Sequence, residues 1–176
     1  MNKRELECSL SEIKSKISEY LIPNYNLIYQ KTINELVRPF RKLGINKVVA
    51  IDMKGLMYGP VIANKLKVSF VPILKGGKIN NRKKVILKSF IDYSGKEKSI
   101  EMFVSSIRPK DKVLLVDDWF ESGNTGKAAI KLIEELGGRV KGISVIFNQL
   151  NPREEFFLKK YNYHFLVRLE PKINFK

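Results

Sequence analysis

The chain has 176 residues, of which 44% are hydrophobic and 29% are charged, and these proportions are typical of a single globular domain. A lone cysteine, Cys8, and a lone histidine, His164, provide neither a disulfide pair nor a zinc cluster. No apolar run approaches the ~20 residues of a membrane-spanning helix, and the charged amino terminus lacks the apolar core of a secretory signal. We therefore expect a soluble cytoplasmic protein without membrane contact.

The net charge of +15 is concentrated in one part of the chain. Residues 60–98 carry ten lysines and arginines against two acids, which is over half of the excess. The electrostatic field of this positive charge attracts anionic partners, for example nucleic acid, acidic membranes or polyphosphate substrates. A solvated, lysine-rich surface without a partner is an equally good interpretation of the same charge.

Two helical patterns occupy the first part of the chain. A capping-box pattern begins at Ser9, and apolar residues then repeat at helical spacing until Pro23. A second amphipathic segment runs from about Thr32 and ends near Gly44. We interpret residues 1–44 as an N-terminal helical segment packed on the core.

Short apolar runs rich in β-branched residues follow, and each of them predicts a strand. They are residues 47–51, 68–74, 112–116, 140–147 and 164–169. Helical patterns lie between most of these runs, at residues 61–66, 127–136 and 153–160. This alternation predicts an α/β fold with a mostly parallel central sheet covered by helices.

Residues 78–103 interrupt the alternation, because two strand-like runs follow each other there with no helix between them. We predict a projecting β-hairpin, or lid, for this segment. Open parallel sheets bind ligands beyond the carboxyl ends of their strands. A functional site is therefore expected in the loops after Ile51, Leu74 and Val116.

The segment after the third predicted strand, VLLVDDWFESGNTGKAA, combines two acids with a small loop and a helix. Gly123 lets the backbone approach a ligand closely, and the hydroxyls of Ser122 and Thr125 accompany the first amides of the helix. These groups suit a phosphate. Asp117 and Asp118, at the strand end, suit a sugar diol or a magnesium ion held through water. A phosphorylated sugar would engage both parts, with its phosphate at the loop and its hydroxyls at the two aspartates.

The sequence does not match the residue spacing of two other phosphate-binding motifs. The glycines of GNTGK are separated by two residues, whereas a Walker P-loop needs four and a Ser or Thr after its lysine. The GxGxxG dinucleotide fingerprint is absent from the sequence. The alternative without a ligand is a tight strand-to-helix turn whose acids cap the helix.

The same segment resembles the phosphoribosyl pyrophosphate signature of type I phosphoribosyltransferases, which is four apolar residues, two acids, two apolar residues and a small loop. The resemblance covers roughly residues 45–170, and within the family the chain is similar to adenine phosphoribosyltransferases. AIDMKGLMYGPVIANKL resembles the family's pyrophosphate loop, PILKGGK its basic stretch, and the hairpin its flexible hood. This implies a phosphoribosyltransferase domain at residues 45–176, with the hood at about 78–103.

The resemblance implies a magnesium-dependent purine phosphoribosyltransferase of nucleobase salvage. Such an enzyme transfers the 5-phosphoribosyl group from phosphoribosyl pyrophosphate to a purine, here adenine first, and forms a nucleoside monophosphate and pyrophosphate. It also implies a homodimer, with the amino-terminal helices as candidate contacts. Two alternatives remain open. One is an enzyme for 6-oxopurines (hypoxanthine, guanine or xanthine), and the other is a regulator that senses phosphoribosyl pyrophosphate and binds nucleic acid.

By resemblance, the ribose and phosphate half of the site follows the third strand. Asp117 and Asp118 would hold the ribose hydroxyls and, through water, a magnesium ion. The 5′-phosphate would be wrapped by Glu121, Ser122, Gly123, Asn124 and Thr125.

By resemblance, the pyrophosphate half lies in the loop after the first strand and in the basic stretch after the second. The residues implied in pyrophosphate contacts are Asp52, Met53, Lys54, Gly55, Lys75 and Lys78. Because this loop often contains a non-proline cis peptide in the family, we predict one between Asp52 and Met53.

Acids and aromatic residues are the candidates for proton transfer and base binding. The resemblance implies a hood carboxylate that accepts or returns a purine proton, either Glu97 or Glu101, and we prefer Glu101. Glu121 is a further catalytic candidate, because 6-oxopurine enzymes place an acid at this position whereas adenine enzymes have a small apolar residue. Trp119 or Phe120 could stack on the base.

Overall fold

The computed structural model of the chain describes residues 4–5, 26–80, 85–91 and 95–171. Its strands are β1 (Lys47–Ile51), β2 (Ser69–Lys75), β3 (Val85–Ile91), β4 (Glu97–Phe103), β5 (Lys112–Phe120), β6 (Arg139–Asn148) and β7 (Tyr163–Arg168). They form one seven-stranded sheet in the order β3-β4-β2-β1-β5-β6-β7. The helix predicted from Ser9 to Pro23 lies outside the described residues.

Most of the sheet is parallel. Strands β2, β1, β5, β6 and β7 pair in parallel, whereas β4 joins β2 and β3 in antiparallel pairing. Parallel neighbours need crossover connections, and the helical segments between the strands supply them. The predicted α/β fold with a mostly parallel, helix-covered sheet is therefore confirmed.

Strand β5 is longer than the sequence predicts. The apolar run ends at Val116, but the strand continues to Phe120 because its pairing with β6 continues. Asp117 lies opposite Val145, and Phe120 lies opposite Asn148. Both aspartates of the motif therefore stand on a strand in the middle of the sheet, and not in a loop.

The longer helices are α1 (Asn26–Val37), α2 (Gly59–Leu66), α3 (Asn124–Glu135) and α4 (Pro152–Lys159). Helix α1 begins earlier than predicted and ends before Pro39, which lacks the N–H that a continuing helix needs. It buries Ile33, Leu36 and Val37 in a core shared with β1, β5 and β7. Among the described residues, no helix combines the length and the apolar character needed to cross a membrane.

The hood hairpin of β3 and β4 is confirmed, and its base belongs to the sheet because β4 pairs with β2. Strand β3 also lies against α3. The side-chain amide of Asn124 donates a hydrogen bond of 2.9 Å to the Ile91 carbonyl, and Lys88 pairs with Glu135. The hairpin is thus attached to the sheet on one side and to both ends of α3 on the other.

An ion pair joins the start of β1 to the residue before β5, at the amino-terminal end of the parallel strands. Lys47 Nζ lies 2.8 Å from Asp111 Oδ2 and donates to the Ser106 carbonyl at 2.7 Å. The Arg108 amide donates to Asp111 Oδ2 at 2.8 Å. Burial alone would raise the pKa of Asp111, but the hydrogen bonds from Lys47 and Arg108 outweigh it and lower that pKa below its ordinary value.

Asp111→Asn is expected to lower the free energy of unfolding by about 1–3 kcal/mol at neutral pH, because Lys47 loses its counterion. A carboxyl with a depressed folded-state pKa stabilises the fold above its unfolded-state pKa of about 4. That contribution is lost as the pH falls through the folded-state value. Urea unfolding should therefore show a difference between wild type and variant that is large at neutral pH and shrinks at about pH 3. A difference that is equal at both pH values would contradict this account.

Candidate active site

A cleft of about 1010 Å³ opens at the carboxyl ends of β1, β2 and β5, and the hood hairpin forms one of its walls. This is the edge at which open parallel sheets bind ligands. The predicted residues on its wall are Asp52, Met53, Lys54, Lys75, Asp117, Asp118, Trp119, Phe120, Glu121, Ser122, Gly123 and Thr125. The predicted residues that do not line it are Gly55, Lys78, Glu101 and Asn124.

Asp117 and Asp118 lie together in the carboxyl-terminal half of β5. Asp117 is 8% exposed, and its Oδ1 accepts a hydrogen bond of 2.9 Å from the Asp118 amide. Asp118 Oδ2 lies 3.7 Å from Lys54 Nζ. Burial raises the pKa of both carboxyls, and the charge of Asp118 raises that of Asp117 further, while Lys54 partly offsets the effect at Asp118. The cleft therefore holds two adjacent acids that a diol or a cation can engage.

These two acids fit a magnesium ion that is bound mainly by its substrate. Within the described ranges, no three His, Cys, Asp or Glu side chains come together to hold a metal ion. Magnesium commonly uses one or two carboxylates and completes its shell with water and substrate phosphates. Asp117 and Asp118, next to a loop suited to phosphate, match this donor set.

The loop between β5 and α3 is shaped for an anion. Gly123 has a φ of 72°, which a residue with a side chain rarely adopts, and it precedes α3 without contributing a capping side chain. The partial positive charge at the start of α3 therefore lies beside Ser122 and Thr125 on the cleft wall. Asn124 directs its side-chain amide to Ile91 of the hood, so it joins the loop to the hairpin.

The first turn of α3 packs closely on Phe120 at Gly126. A Cβ added at Gly126 would lie 2.5 Å from Phe120 Cζ. The Phe120 ring is 2% exposed and stacks on Tyr163, with the ring centroids 5.9 Å apart. Phe120 is therefore a core residue, and the stacking role predicted for it is not supported.

The loop after β1 reaches across to β5. Its Asp52–Met53 peptide bond is cis, as predicted, and the Asp52 amide donates to the Ile73 carbonyl at 2.8 Å. Gly55 packs behind Asp117, where an added Cβ would lie 3.0 Å from Asp117 Oδ1. Glycine at this position allows the loop to approach the aspartates, which is a packing role distinct from the pyrophosphate contact predicted for it.

Lys75 and Lys78 meet Asp52 in different ways. Lys75 lines the cleft, and its amide donates to Asp52 Oδ2 at 3.2 Å. Lys78 Nζ donates to the same oxygen at 2.8 Å. Burial by itself would raise the pKa of Asp52, but the hydrogen bonds from Lys78 and Lys75 lower it below its ordinary value. Asp52 is therefore ionised at neutral pH, and Lys78 compensates its charge.

The two hood acids differ in placement. Glu97, at the start of β4, lines the cleft. Glu101 lies further along β4, between β2 and β3, where it is 3% exposed. Its Oε1 accepts hydrogen bonds of 2.6 Å and 2.7 Å from the amides of Lys78 and Ile79. The preference for Glu101 as the proton-transfer group is not supported, because this carboxylate is engaged inside the protein and is not on the cleft wall.

Gln149 is a cleft residue that the sequence analysis missed. Its Oε1 accepts a hydrogen bond of 3.1 Å from Trp119 Nε1, and its Nε2 donates to the Glu170 carbonyl at 2.8 Å. The amide thus holds the Trp119 indole on the cleft wall. The only signal in the sequence was position, because Gln149 lies two residues after the predicted strand 140–147 and no motif includes it.

Comparison with protein families identifies the class to which this site belongs. The family model described as "Phosphoribosyl transferase domain" matches residues 27–170. The match covers most of the chain and includes both cleft loops, the hood and the two aspartates. The chain therefore belongs to the phosphoribosyl transferase domain family, and the resemblance seen in the sequence is confirmed.

Individual relatives are adenine enzymes. The chain is 38% identical over 120 residues to the adenine phosphoribosyltransferase of Vibrio cholerae serotype O1, and the alignment covers 68% of this chain and 65% of that protein. The chain thus spans just under two thirds of the length of this curated relative. Among solved structures, the adenine phosphoribosyltransferase of Rhodothermus marinus has a TM-score of 0.72 and 30% identity, over 81% of this chain and 80% of that one. The APRTase of Giardia lamblia complexed with 9-deazaadenine has a TM-score of 0.77 and 29% identity, over 85% and 83%.

Proposed function

We propose that this chain is an adenine phosphoribosyltransferase of purine salvage. It transfers the 5-phosphoribosyl group from phosphoribosyl pyrophosphate to adenine and forms the nucleoside monophosphate and pyrophosphate. The proposal rests on one observation. In a single cleft, Asp117 and Asp118 lie between the loop before α3, which is shaped for an anion, and the Asp52 loop. The similarity to the adenine phosphoribosyltransferases of Vibrio cholerae and Rhodothermus marinus supports adenine as the base.

Three parts of the cleft bind three parts of the donor substrate. The loop before α3 and the first amides of that helix hold the 5′-phosphate. Asp117 and Asp118 accept hydrogen bonds from the ribose hydroxyls and hold magnesium through water. The Asp52 loop, with Lys54 and Lys75 on the same wall, holds the pyrophosphate.

The reaction forms a bond between a purine nitrogen and the anomeric carbon while the bond from this carbon to the pyrophosphate oxygen breaks. No covalent bond to the protein is needed. The transition state resembles an oxocarbenium ion, so the protein aligns base and sugar, compensates the charge of the leaving group and excludes water. Lys54 and Lys75 supply positive charge at the pyrophosphate, and bound magnesium would add to it. The hood hairpin, which forms one wall of the cleft, would exclude water by closing on the bound substrates.

Glu121 favours a second candidate substrate class. It lies on the cleft wall next to the phosphate loop, at a position where the resemblance associates an acid with 6-oxopurine enzymes. A carboxylate can accept the ring proton that hypoxanthine, guanine or xanthine carries. These bases are therefore the alternative to adenine for the same reaction.

Pyrophosphate release tests the proposal directly. The purified chain is incubated with phosphoribosyl pyrophosphate and magnesium, and adenine, hypoxanthine, guanine, xanthine, orotate and uracil are added separately. Turnover with adenine is expected, and turnover with only a 6-oxopurine would move the assignment to the second class. If no base is turned over and the chain binds nucleic acid with an affinity that falls steeply with salt, the assignment changes from an enzyme to a sensor of phosphoribosyl pyrophosphate.

Of the two hood acids, Glu97 is the one we propose for proton transfer to or from the purine. Glu97→Gln is expected to lower turnover about 100-fold, because the amide cannot accept the proton. The melting temperature should not change, since Glu97 is exposed. Glu134→Gln, the same substitution at an exposed position of α3, is the matched control and should retain full turnover. Full turnover in Glu97→Gln would contradict the assignment.

We also propose that the protein acts as a cytoplasmic homodimer, with residues 1–44 as the segment that contributes contacts and residues 45–176 as the catalytic domain. The packing of α1 on the sheet supports a close association of the described part of that segment with the core. Light scattering of the purified chain tests the dimer.

A further inference from the structure

Glu101 is a buried acid for which the proposed chemistry has no use. It lies on β4 with 3% of its surface exposed, and a carboxylate in such a place costs free energy unless it is well bonded. Its Oε1 accepts hydrogen bonds from the amides of Lys78 and Ile79 at 2.6 Å and 2.7 Å. Two short bonds to one oxygen fix the backbone of residues 78–79 relative to the sheet.

The segment that Glu101 fixes carries the cation that compensates Asp52. The backbone of Lys78 is bonded to Glu101, and its side-chain Nζ donates to Asp52 Oδ2 at 2.8 Å. The amide of Lys75 donates to the same oxygen at 3.2 Å. A continuous series of contacts therefore runs from the interior of β4 through Lys78 to the loop assigned to pyrophosphate.

Electrostatics explain why the position of Lys78 matters. Asp52 lies on the cleft wall and is only 9% exposed, so its negative charge faces the place proposed for a highly anionic group. An uncompensated carboxylate there would repel pyrophosphate. Lys78 can neutralise the Asp52 carboxylate only while the backbone of Lys78 places the Nζ atom within hydrogen-bonding distance of that carboxylate. The side chain of Lys78 is exposed, so packing against neighbouring side chains does not hold its Nζ beside Asp52.

A second contact holds the same segment without Glu101. The Gly76 amide donates to the Ser99 carbonyl at 2.8 Å, and a Cβ at Gly76 would lie 2.0 Å from Ser99 Oγ. Gly76 therefore stays hydrogen-bonded to β4 when Glu101 is changed. Loss of the Glu101 carboxylate is expected to displace residues 78–79 more than it unfolds the sheet.

We propose that Glu101 is a positioning residue for pyrophosphate binding, which acts by fixing Lys78 so that Lys78 compensates the charge of Asp52. This inference rests on the proposed function, because it assigns the Asp52 loop to pyrophosphate. It replaces the proton-transfer role that the sequence suggested for Glu101. Glu101 does not touch the substrate, and its effect should appear in affinity for the diphosphate group and not in the chemistry at the base.

Calorimetric titration with inorganic pyrophosphate and magnesium tests this proposal without turnover. Glu101→Leu removes the acceptor and is expected to weaken pyrophosphate binding about tenfold. Glu101→Gln keeps an acceptor oxygen and should stay within about threefold of wild type. In turnover, Glu101→Leu should raise the KM for phosphoribosyl pyrophosphate while the KM for the base remains unchanged. Wild-type affinity in Glu101→Leu would overturn the proposal.

A double-mutant cycle separates positioning from general destabilisation. Lys78→Met alone should weaken pyrophosphate binding, and Glu101→Leu should add nothing in the Lys78→Met background, because both act through the same ammonium. Additive effects would overturn the proposed route. If Glu101→Leu does not fold, Glu101→Ala, which also removes the acceptor, replaces it in the cycle, and its loss of affinity must again disappear without Lys78.

The control is Ser144→Ala, which removes a buried hydrogen bond of 2.9 Å to the Leu36 carbonyl. Ser144 lies on β6 outside the cleft wall. This variant should lower the melting temperature and leave pyrophosphate affinity unchanged. Equal loss of affinity in Ser144→Ala would overturn the specific role of Glu101. If the wild-type chain transfers no phosphoribosyl group and binds no pyrophosphate, the proposed function itself fails, which is a distinct result.

Discussion

Asp118→Asn should lower turnover at least about 100-fold and leave the melting temperature unchanged or slightly higher. The amide keeps the shape of the side chain but loses the charge that would hold the ribose hydroxyls and magnesium. The fold does not depend on that charge, because Asp118 stands beside the buried Asp117 and two neighbouring acids in one site repel each other. The Lys54 contact of 3.7 Å is too long to reverse this balance. Pyrophosphate release and calorimetric melting measure the two effects.

Asp111→Asn is the matched control, because it is the same substitution at an acid on the opposite end of the sheet. It should show the reverse pattern, with lower stability and full turnover. Asp111 is bonded to Lys47 and to the Arg108 amide, so its charge stabilises the fold, whereas we propose that the charge of Asp118 holds a ligand. Undiminished turnover in Asp118→Asn at equal melting temperature would remove Asp118 from the proposed mechanism.

The sequence pattern predicted the sheet well, because buried parallel strands are nearly continuous apolar runs. Strand β1 has the predicted bounds, and β2, β6 and β7 differ from prediction by one residue at each end. The pattern failed at β5, where it ended the strand at Val116. Polar residues can continue a strand when a neighbouring strand keeps pairing with them, as β6 does with Asp117, and pairing across the sheet is not visible in a local pattern.

The loop residues on the cleft wall could be predicted from the sequence, whereas the placement of the acids on β4 could not. The loop before α3 and the Asp52 loop are contiguous motifs, so their residues could be identified together. Glu101 and Glu97 are both acids on one strand, and only the register of β4 with β2 and β3 places one in the interior and the other on the cleft wall. Gln149 directly follows β6 and is 30 residues from Trp119 in the sequence, and the two meet because β6 pairs with β5.

Gly126→Ala should destabilise the fold by about 2 kcal/mol, although alanine is normally the better helix residue by about 1 kcal/mol. The added methyl would lie 2.5 Å from Phe120 Cζ and 2.8 Å from Cε2. The ring cannot yield freely, since it is 2% exposed and stacks on Tyr163. Either the ring or the first turn of α3 must therefore move. For a chain of this size the melting temperature should fall by about 4–8 °C.

The same displacement would move the amides that we propose bind the 5′-phosphate, so the KM for phosphoribosyl pyrophosphate should rise in Gly126→Ala. Phe120→Leu provides the background that isolates the cause. Leucine lacks the ring atoms that the new methyl would meet, so Gly126→Ala should be neutral or stabilising there, and the cycle should give a coupling free energy of about 2 kcal/mol. A full loss of stability from Gly126→Ala in the Phe120→Leu background would show that the glycine is required for another reason, such as backbone conformation in the first turn of α3.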